Sequence, residues 1–275
     1  MALDHNRIAQ ALAQAPIGHA IEYHAMLAST NDRATELARA GSPHGTVVFA
    51  DSQSAGRGRR GRSWQSPPGL NLYLSVLLRP ADLPVAHWPR LTTTVALALC
   101  RAFEDQVPGL QAQVKWPNDI YLRGRKVAGI LIETGQVGSS EDSRYVVIGT
   151  GINVLAQEAD FPPELREIAT SLALAADHSG AVPLPGAAVT REAVASDYLR
   201  HLADLYAATL TDFDATLAEV AARSLLLGHA VRWLATDGEH TGHALGLDPL
   251  GQLRVRLGDG SEQTLGSVEQ IRLID

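Results

Sequence analysis

Gly56-Arg57-Gly58-Arg59-Arg60-Gly61-Arg62-Ser63-Trp64 sets four arginines and three glycines in seven consecutive positions, with an indole two residues beyond. Such a run cannot build a core, because glycine leaves the backbone loose and guanidinium groups resist burial unless paired. Arginine supplies planar, permanently charged donors, and neighbouring glycines let backbone N–H groups approach an oxyanion. The chain has a formal charge of −7, so outside these four arginines it carries −11. A concentrated cationic loop on an acidic protein reads as a local anion site. Gly56-x-Gly58-x-x-Gly61 also matches the dinucleotide fingerprint and follows a strand-like Thr46-Val47-Val48-Phe49-Ala50. That fingerprint must open a helix, whereas this one runs into Trp64-Gln65-Ser66-Pro67-Pro68-Gly69, which resists one. An arm for nucleic acid is the non-enzymatic alternative, since arginine with an aromatic suits phosphates and bases. It lacks an extended basic track. A phosphate-binding loop is the leading reading.

Lysine usage is the second signal. Of 23 basic residues only Lys115 and Lys126 are lysines. Lysine is a compact, mobile point charge able to reach a single phosphoryl or carboxylate oxygen. Lys115 stands at an apolar strand end, before the turn Trp116-Pro117-Asn118-Asp119. Scarcity and setting together mark it as functional.

At 275 residues, 45% hydrophobic and 19% charged, the chain suits one large domain, or one large and one small. No apolar run approaches the ~20 residues of a membrane span. The start, Met1-Ala2-Leu3-Asp4-His5, lacks the basic and apolar segments of a signal peptide. A cytoplasmic location is expected. Cys100 is the lone cysteine, so no internal disulfide can form, and its apolar surroundings read as a buried helix. His240-x-x-His243 has no third ligand nearby, so a metal site built from protein ligands alone is not expected. There is no P-loop sequence.

Along the chain, Ser29-Thr30-Asn31-Asp32 reads as the cap of a helix over 33–41, and a helix start also offers hydroxyl and N–H groups to a polar ligand. Strands are expected at 46–51, 70–78, 111–116, 126–133 and 145–153, with a hairpin at 135–142 whose tip is Gly138-Ser139-Ser140. Helices are expected at 91–103 and 192–210, the latter with Val194, Tyr198, Leu202, Leu205 and Tyr206 on one side, and a loop at 175–190. After Gly228 come short strands at 230–235, 240–247, 253–257, 262–265 and 270–274, separated by Asp-Gly and Asp-Pro-Leu-Gly turns. These hairpins make a small antiparallel barrel.

Five segments in order, residues 56–64, Asn71-Leu72-Tyr73-Leu74-Ser75, Lys115-Trp116-Pro117-Asn118-Asp119, Lys126-Val127-Ala128-Gly129-Ile130-Leu131 and Gly149-Thr150-Gly151-Ile152-Asn153, resemble those of bacterial biotin protein ligases from about residue 20 onward. The resemblance implies an α+β fold: a class II aminoacyl-tRNA synthetase-like catalytic domain, a mixed sheet with flanking helices, over 1–224, then an SH3-like β-barrel over 225–275. It implies ATP-dependent activation of biotin as biotinyl-5'-AMP, with Mg²⁺ accompanying ATP. Transfer then goes to a lysine of the biotin carboxyl carrier protein of acetyl-CoA carboxylase or a related carboxylase. By the same resemblance, Ser29, Thr30, Asn31, Gln53, Arg57, Gly58, Arg59, Lys115 and Gly129 bind biotin. Arg59, Arg60, Arg62, Trp64, Asn118, Lys126, Asn153 and Arg272 surround the nucleotide, and Lys115 and Arg59 are catalytic. Ser54 departs from the family beside Gln53, and the alignment of Arg272 in the barrel is loose. Some relatives carry a DNA-binding domain ahead of the ligase. Here the ligase pattern starts near residue 20, so no DNA binding and no repressor role are expected. An exposed strand edge could pair with a second copy. The rival within the same fold is lipoate–protein ligase, whose apolar dithiolane suits the polar set 29–31 and Gln53 poorly.

Overall fold

The computed structural model describes residues 2–140, 143–177 and 189–274. Its larger part is a seven-stranded mixed sheet of β1 (Ala20–Leu27), β2 (Thr46–Gln53), β3 (Leu72–Leu78), β4 (Ala112–Lys115), β5 (Asp119–Leu122), β6 (Arg125–Gln136) and β7 (Arg144–Ile152). The spatial order is β1-β2-β3-β7-β6-β5-β4. β1 runs parallel to β2, and every other pairing is antiparallel.

Strand alternation sorts the two faces. Val47, Phe49, Leu72, Leu74, Val76 and Leu78 join the main core. It is covered by α3 (Arg90–Gln106) and α5 (Arg191–Thr211), with α1 (His5–Ala11), α4 (Leu172–Asp177) and α6 (Asp214–Ala222) at its margins. Val48, Leu77, Tyr145 and Val147 face the other way, onto Ala34 and Ala38 of α2 (Thr30–Arg39). A sheet buried on both faces needs such near-continuous apolar strands. The expected stripe of α5 is in place, with Val194, Tyr198, Leu202 and Leu205 buried and Tyr206 partly so. Cys100 is fully buried in α3, and burial pushes its thiol well above the ordinary range.

Residues 230–273 form a second, five-stranded antiparallel sheet: β8 (Ala230–Ala235), β9 (Gly238–Leu247), β10 (Leu253–Arg256), β11 (Glu262–Leu265) and β12 (Gln270–Leu273), ordered β11-β10-β9-β8-β12. Its core of Val231, Trp233, Ala244, Leu253, Val255, Leu265, Val268 and Ile271 also takes in Trp116, from the turn after β4. The Trp116 indole N–H donates to the Gly251 carbonyl at 3.1 Å. The residue beside Lys115 is therefore a plug in the smaller core.

Three expectations need correction. The helix expected over 33–41 is α2 and starts at Thr30, with Ser29 in the cap position but without a side-chain capping bond. The expected loop at 175–190 is helical through Asp177, and 178–188 lie outside the described residues. In the hairpin expected at 135–142, β6 continues to Gln136, paired with Arg144, while 141 and 142 lie outside the described residues. Strands β1 and β5 and helices α1, α4 and α6 had no clear periodic signal, being short or mixed in polarity.

Candidate active site

On the α2 side of the sheet the side chains shrink along β7, from Tyr145 and Val147 to Gly149 and Gly151, with Gly129 of β6 paired to Gly151. The hollow that results is part of a cavity of about 500 Å³. Two of these glycines are required by close approach. A methyl group on Gly149 would lie 2.1 Å from Asn31 Oδ1, and one on Gly151 would lie 2.4 Å from Trp64 Cε2. The polar end of α2 and the indole of the arginine loop thus rest directly on bare backbone.

The cavity's deep end is a hydrogen-bonded polar cluster. Ser29, Thr30, Asn31 and Ser75 are all buried. Ser75 Oγ donates to Asn31 Oδ1 at 2.6 Å and lies 2.8 Å from Thr30 Oγ1. Having one proton, Ser75 gives it to the amide oxygen, which can only accept. The Thr30 backbone N–H donates to Gln53 Oε1 at 2.9 Å, and Gln53 Nε2 donates to Ser66 Oγ at 3.0 Å. Asn31 Nδ2 donates to Glu133 Oε2 at 2.6 Å.

The arginine loop crosses the mouth as a tight turn, with a 3-10 segment at Arg59–Gly61 and Arg60 in the left-handed region at φ 57°. No helix follows, which rules out the dinucleotide fingerprint. Each arginine has its own direction. Arg57 makes a bidentate pair with Asp32, both contacts 2.7 Å, and holds that carboxyl below the usual range chiefly through these hydrogen bonds. Arg59 donates to Asn118 Oδ1 at 3.0 Å and to Ser267 Oγ at 2.6 Å, and Arg60 pairs with Glu269 at 3.3 Å. Arg62 is exposed on the cavity lining. The loop is thus tied to α2 at one end and to the turn before β12 at the other. Trp64 Nε1 is buried with no hydrogen-bond partner among the described residues. Its ring has the Lys126 ammonium 5.3 Å from its centroid.

Both lysines reach the cavity from either side of β5. Lys126 Nζ lies 2.7 Å from Asp119 Oδ1. Lys115 Nζ lies 3.4 Å from the Tyr121 hydroxyl and 5.3 Å from the centroid of its ring. Burial holds the Lys115 ammonium below the ordinary lysine range; Asp119 opposes the shift, while Lys126, Arg272 and Arg62 add to it.

Of the residues singled out in the sequence, Ser29, Thr30, Asn31, Gln53, Arg57, Gly58, Arg59, Arg62, Trp64, Lys115, Asn118, Lys126, Gly129 and Asn153 line this one cavity. Asn153 is buried and donates to the Thr170 carbonyl. Arg60 and Arg272 are not on the lining. Arg60 points to Glu269, and Arg272 is exposed in β12, off the lining that Gln270 and Ile271 take, although its charge still reaches Lys115. Sequence reasoning missed Ser75, Tyr121 and Glu133. Ser75 and Tyr121 sit inside or beside quoted segments, but their cross-strand partners become visible only with the register. The apolar rim of Phe161, Leu165 and Ile168 had no motif at all.

The mixed sheet sets a polar cluster at one end of the cleft and lysines and arginines at the other, an arrangement that suits a ligase bringing a polar acid up to a nucleotide. The comparisons agree. The model of the biotin/lipoate A/B protein ligase family matches residues 23–153. The chain is 38% identical over 246 residues to the bifunctional ligase/repressor BirA of Bacillus subtilis, covering 89% of this chain and 71% of that one. It is 35% identical over 240 residues to the biotin–[acetyl-CoA-carboxylase] ligase of Mycobacterium tuberculosis, covering 85% and 82%. The structure is similar to the biotin protein ligase of Aquifex aeolicus in complex with biotin and ATP, with a TM-score of 0.75, 28% identity, and 93% and 99% of the two chains covered. The chain belongs to the biotin/lipoate protein ligase family.

Proposed function

We propose that this protein is an ATP-dependent biotin–[acetyl-CoA-carboxylase] ligase, which forms biotinyl-5'-AMP and transfers the biotinyl group to a lysine of a biotin carboxyl carrier protein. The observation carrying this reading is the division of the cleft. The cluster of Ser29, Thr30, Asn31 and Gln53, braced from behind by the buried Ser75, offers donors and acceptors matched to a ureido ring, while Lys115, Arg59 and Arg62 gather where a carboxylate must meet a triphosphate. Two anions repel each other before they react, and fixed cations lower that barrier. Lys115 supplies a point charge to the carboxylate and the α-phosphoryl oxygens. Arg59 and Arg62 hold phosphates, and Arg57 frames the acid's end of the loop through Asp32. Trp64 offers its face to the adenylate. Mg²⁺ arrives with the nucleotide as part of the co-substrate. In the second step the carrier's lysine amine attacks the acyl carbon, AMP leaves, and no enzyme nucleophile is needed.

On this reading the catalytic unit is 1–224, of class II synthetase type, and 225–275 is an SH3-like domain whose turn holds the loop. The protein works in the cytoplasm and can pair with a second copy through an open sheet edge. No helix among the described residues is long and apolar enough to cross a membrane. The test is incubation with biotin, Mg-ATP and a purified carrier domain. The carrier should gain the mass of one biotinyl group at one lysine, and lipoate should not replace biotin. An unmodified carrier, or equal use of lipoate, would refute the proposal.

A further inference from the structure

Strand β5 lies between the two lysines of the chain and contacts them in a crossed arrangement. Lys115 is paired in register with Asp119 across β4 and β5, yet its ammonium lies against Tyr121. Lys126 is paired in register with Tyr121 across β5 and β6, yet its ammonium lies against Asp119. Each long side chain leans to the diagonal neighbour, a distance such residues can span. Asp119 and Tyr121, two apart, share one face of the strand.

The two partners do different things to a cation. A carboxylate fixes an ammonium and cancels its charge. A phenol fixes it with an oxygen lone pair and a ring face and leaves the charge intact. Resting on the reading of Lys115 as the cation of the activation step, we infer that Tyr121 is a positioning residue that holds the Lys115 ammonium in place without neutralising it, because Asp119 is committed to Lys126. The Tyr121 hydroxyl is suited to this. Burial, aided by the charge of Asp119, has its pKa pushed up to about 12, so it remains a neutral phenol throughout the working range. The charges facing Lys115 are Asp119 on β5, Lys126 on β6, Arg62 on the arginine loop and Arg272 on β12. Three of these four are cations, so a neutral acceptor is what keeps the ammonium seated.

The chain's two lysines can be followed separately by competitive acetylation with trace acetic anhydride across pH, read by mass spectrometry of the peptides carrying Lys115 and Lys126. Tyr121→Phe keeps the ring and removes the acceptor. The Lys115 labelling midpoint should move to lower pH relative to the Lys126 signal. The kcat of biotin-dependent ATP–pyrophosphate exchange should fall about tenfold, as loss of one hydrogen bond to a charged group allows, with KM for biotin and ATP within about twofold. Tyr121→Glu should raise the Lys115 midpoint and still abolish exchange, a split that a merely structural residue would not produce. An unmoved midpoint in Tyr121→Phe, or ordinary exchange in Tyr121→Glu, overturns the inference; should the Glu variant not fold, the Phe variant decides. Absence of biotin-dependent exchange in the wild type overturns the ligase reading and the catalytic half of this one. The labelling midpoint judges the hold of Tyr121 on Lys115 without reference to activity.

Discussion

Burial holds the Lys115 ammonium below the ordinary lysine range, so the unfolded chain binds that proton more tightly than the folded one. Its charge therefore opposes folding fully below the folded midpoint, and the penalty fades as pH climbs from there to the ordinary lysine value. Replacing it removes a cost to stability together with the cation. Lys115→Met is expected to fold with a melting temperature equal to or above the wild type at neutral pH, while ATP–pyrophosphate exchange drops a hundredfold or more, as loss of about 3 kcal/mol of transition-state stabilisation implies. A melt and an exchange assay on one preparation check both halves; a melting temperature several degrees lower would make Lys115 a structural residue. The same depressed midpoint should bring the alkaline limb of wild-type exchange below the pH expected of a free lysine. Lys115 was legible in the sequence because lysine is rare in this chain. Tyr121 was not, because nothing in a linear reading says that a lysine opposite an aspartate will lean past it to a phenol.

The paired glycines of β7 show why a motif can be recognised before it is understood. Gly149-Thr150-Gly151 appears in the sequence as one segment of a resemblance; its reason is that the Asn31 amide and the Trp64 indole each occupy the space a side chain would fill. The two positions should separate the two ligands. Gly149→Ala displaces Asn31 from Ser75 and Glu133 and is expected to weaken biotin by roughly fivefold to 150-fold, the equivalent of the ~1–3 kcal/mol that overpacking costs. Gly151→Ala displaces the indole instead and should weaken ATP more than biotin. Calorimetry with each ligand distinguishes them, and identical losses at both sites would mean that the sheet itself had shifted. Among the loop arginines, sequence spacing could not tell which face the cleft. Arg59 alone links the loop to both Asn118 and Ser267. Arg59→Gly is expected to leave activation in place but release the acyl-adenylate roughly tenfold faster, the equivalent of about 1.4 kcal/mol. Biotin appearing on albumin added to the reaction measures the leak, and unchanged labelling at equal turnover would show that the loop does not retain the intermediate.

At the scale of the molecule, the small sheet is joined to the catalytic part by the indole of Trp116 in its core and by the contacts of Arg59 and Arg60 with the turn before β12. The hairpin signals announced that sheet clearly. Its dependence on a residue more than a hundred positions earlier became visible only in three dimensions. Trp116→Ala should cost about 3–5 kcal/mol, as large aromatic truncations in cores do, and should lower exchange as well, because the strand end carrying Lys115 loses its anchor. A thermal melt and exchange kinetics test this; a stability loss with unaltered kcat would separate the two parts. The scarcity of lysine and its confinement to the cleft have one more consequence. An enzyme that makes an amine-seeking mixed anhydride is the nearest protein to its own reagent. Guanidinium groups, the rest of this chain's cations, stay protonated and are poor nucleophiles. Of its two side-chain amines, one is salt-bridged to Asp119 and the other lies on Tyr121. The protein carries few amines for its own product to mark, and what self-modification occurs should fall on Lys115, whose proton burial loosens, before Lys126, which Asp119 holds charged.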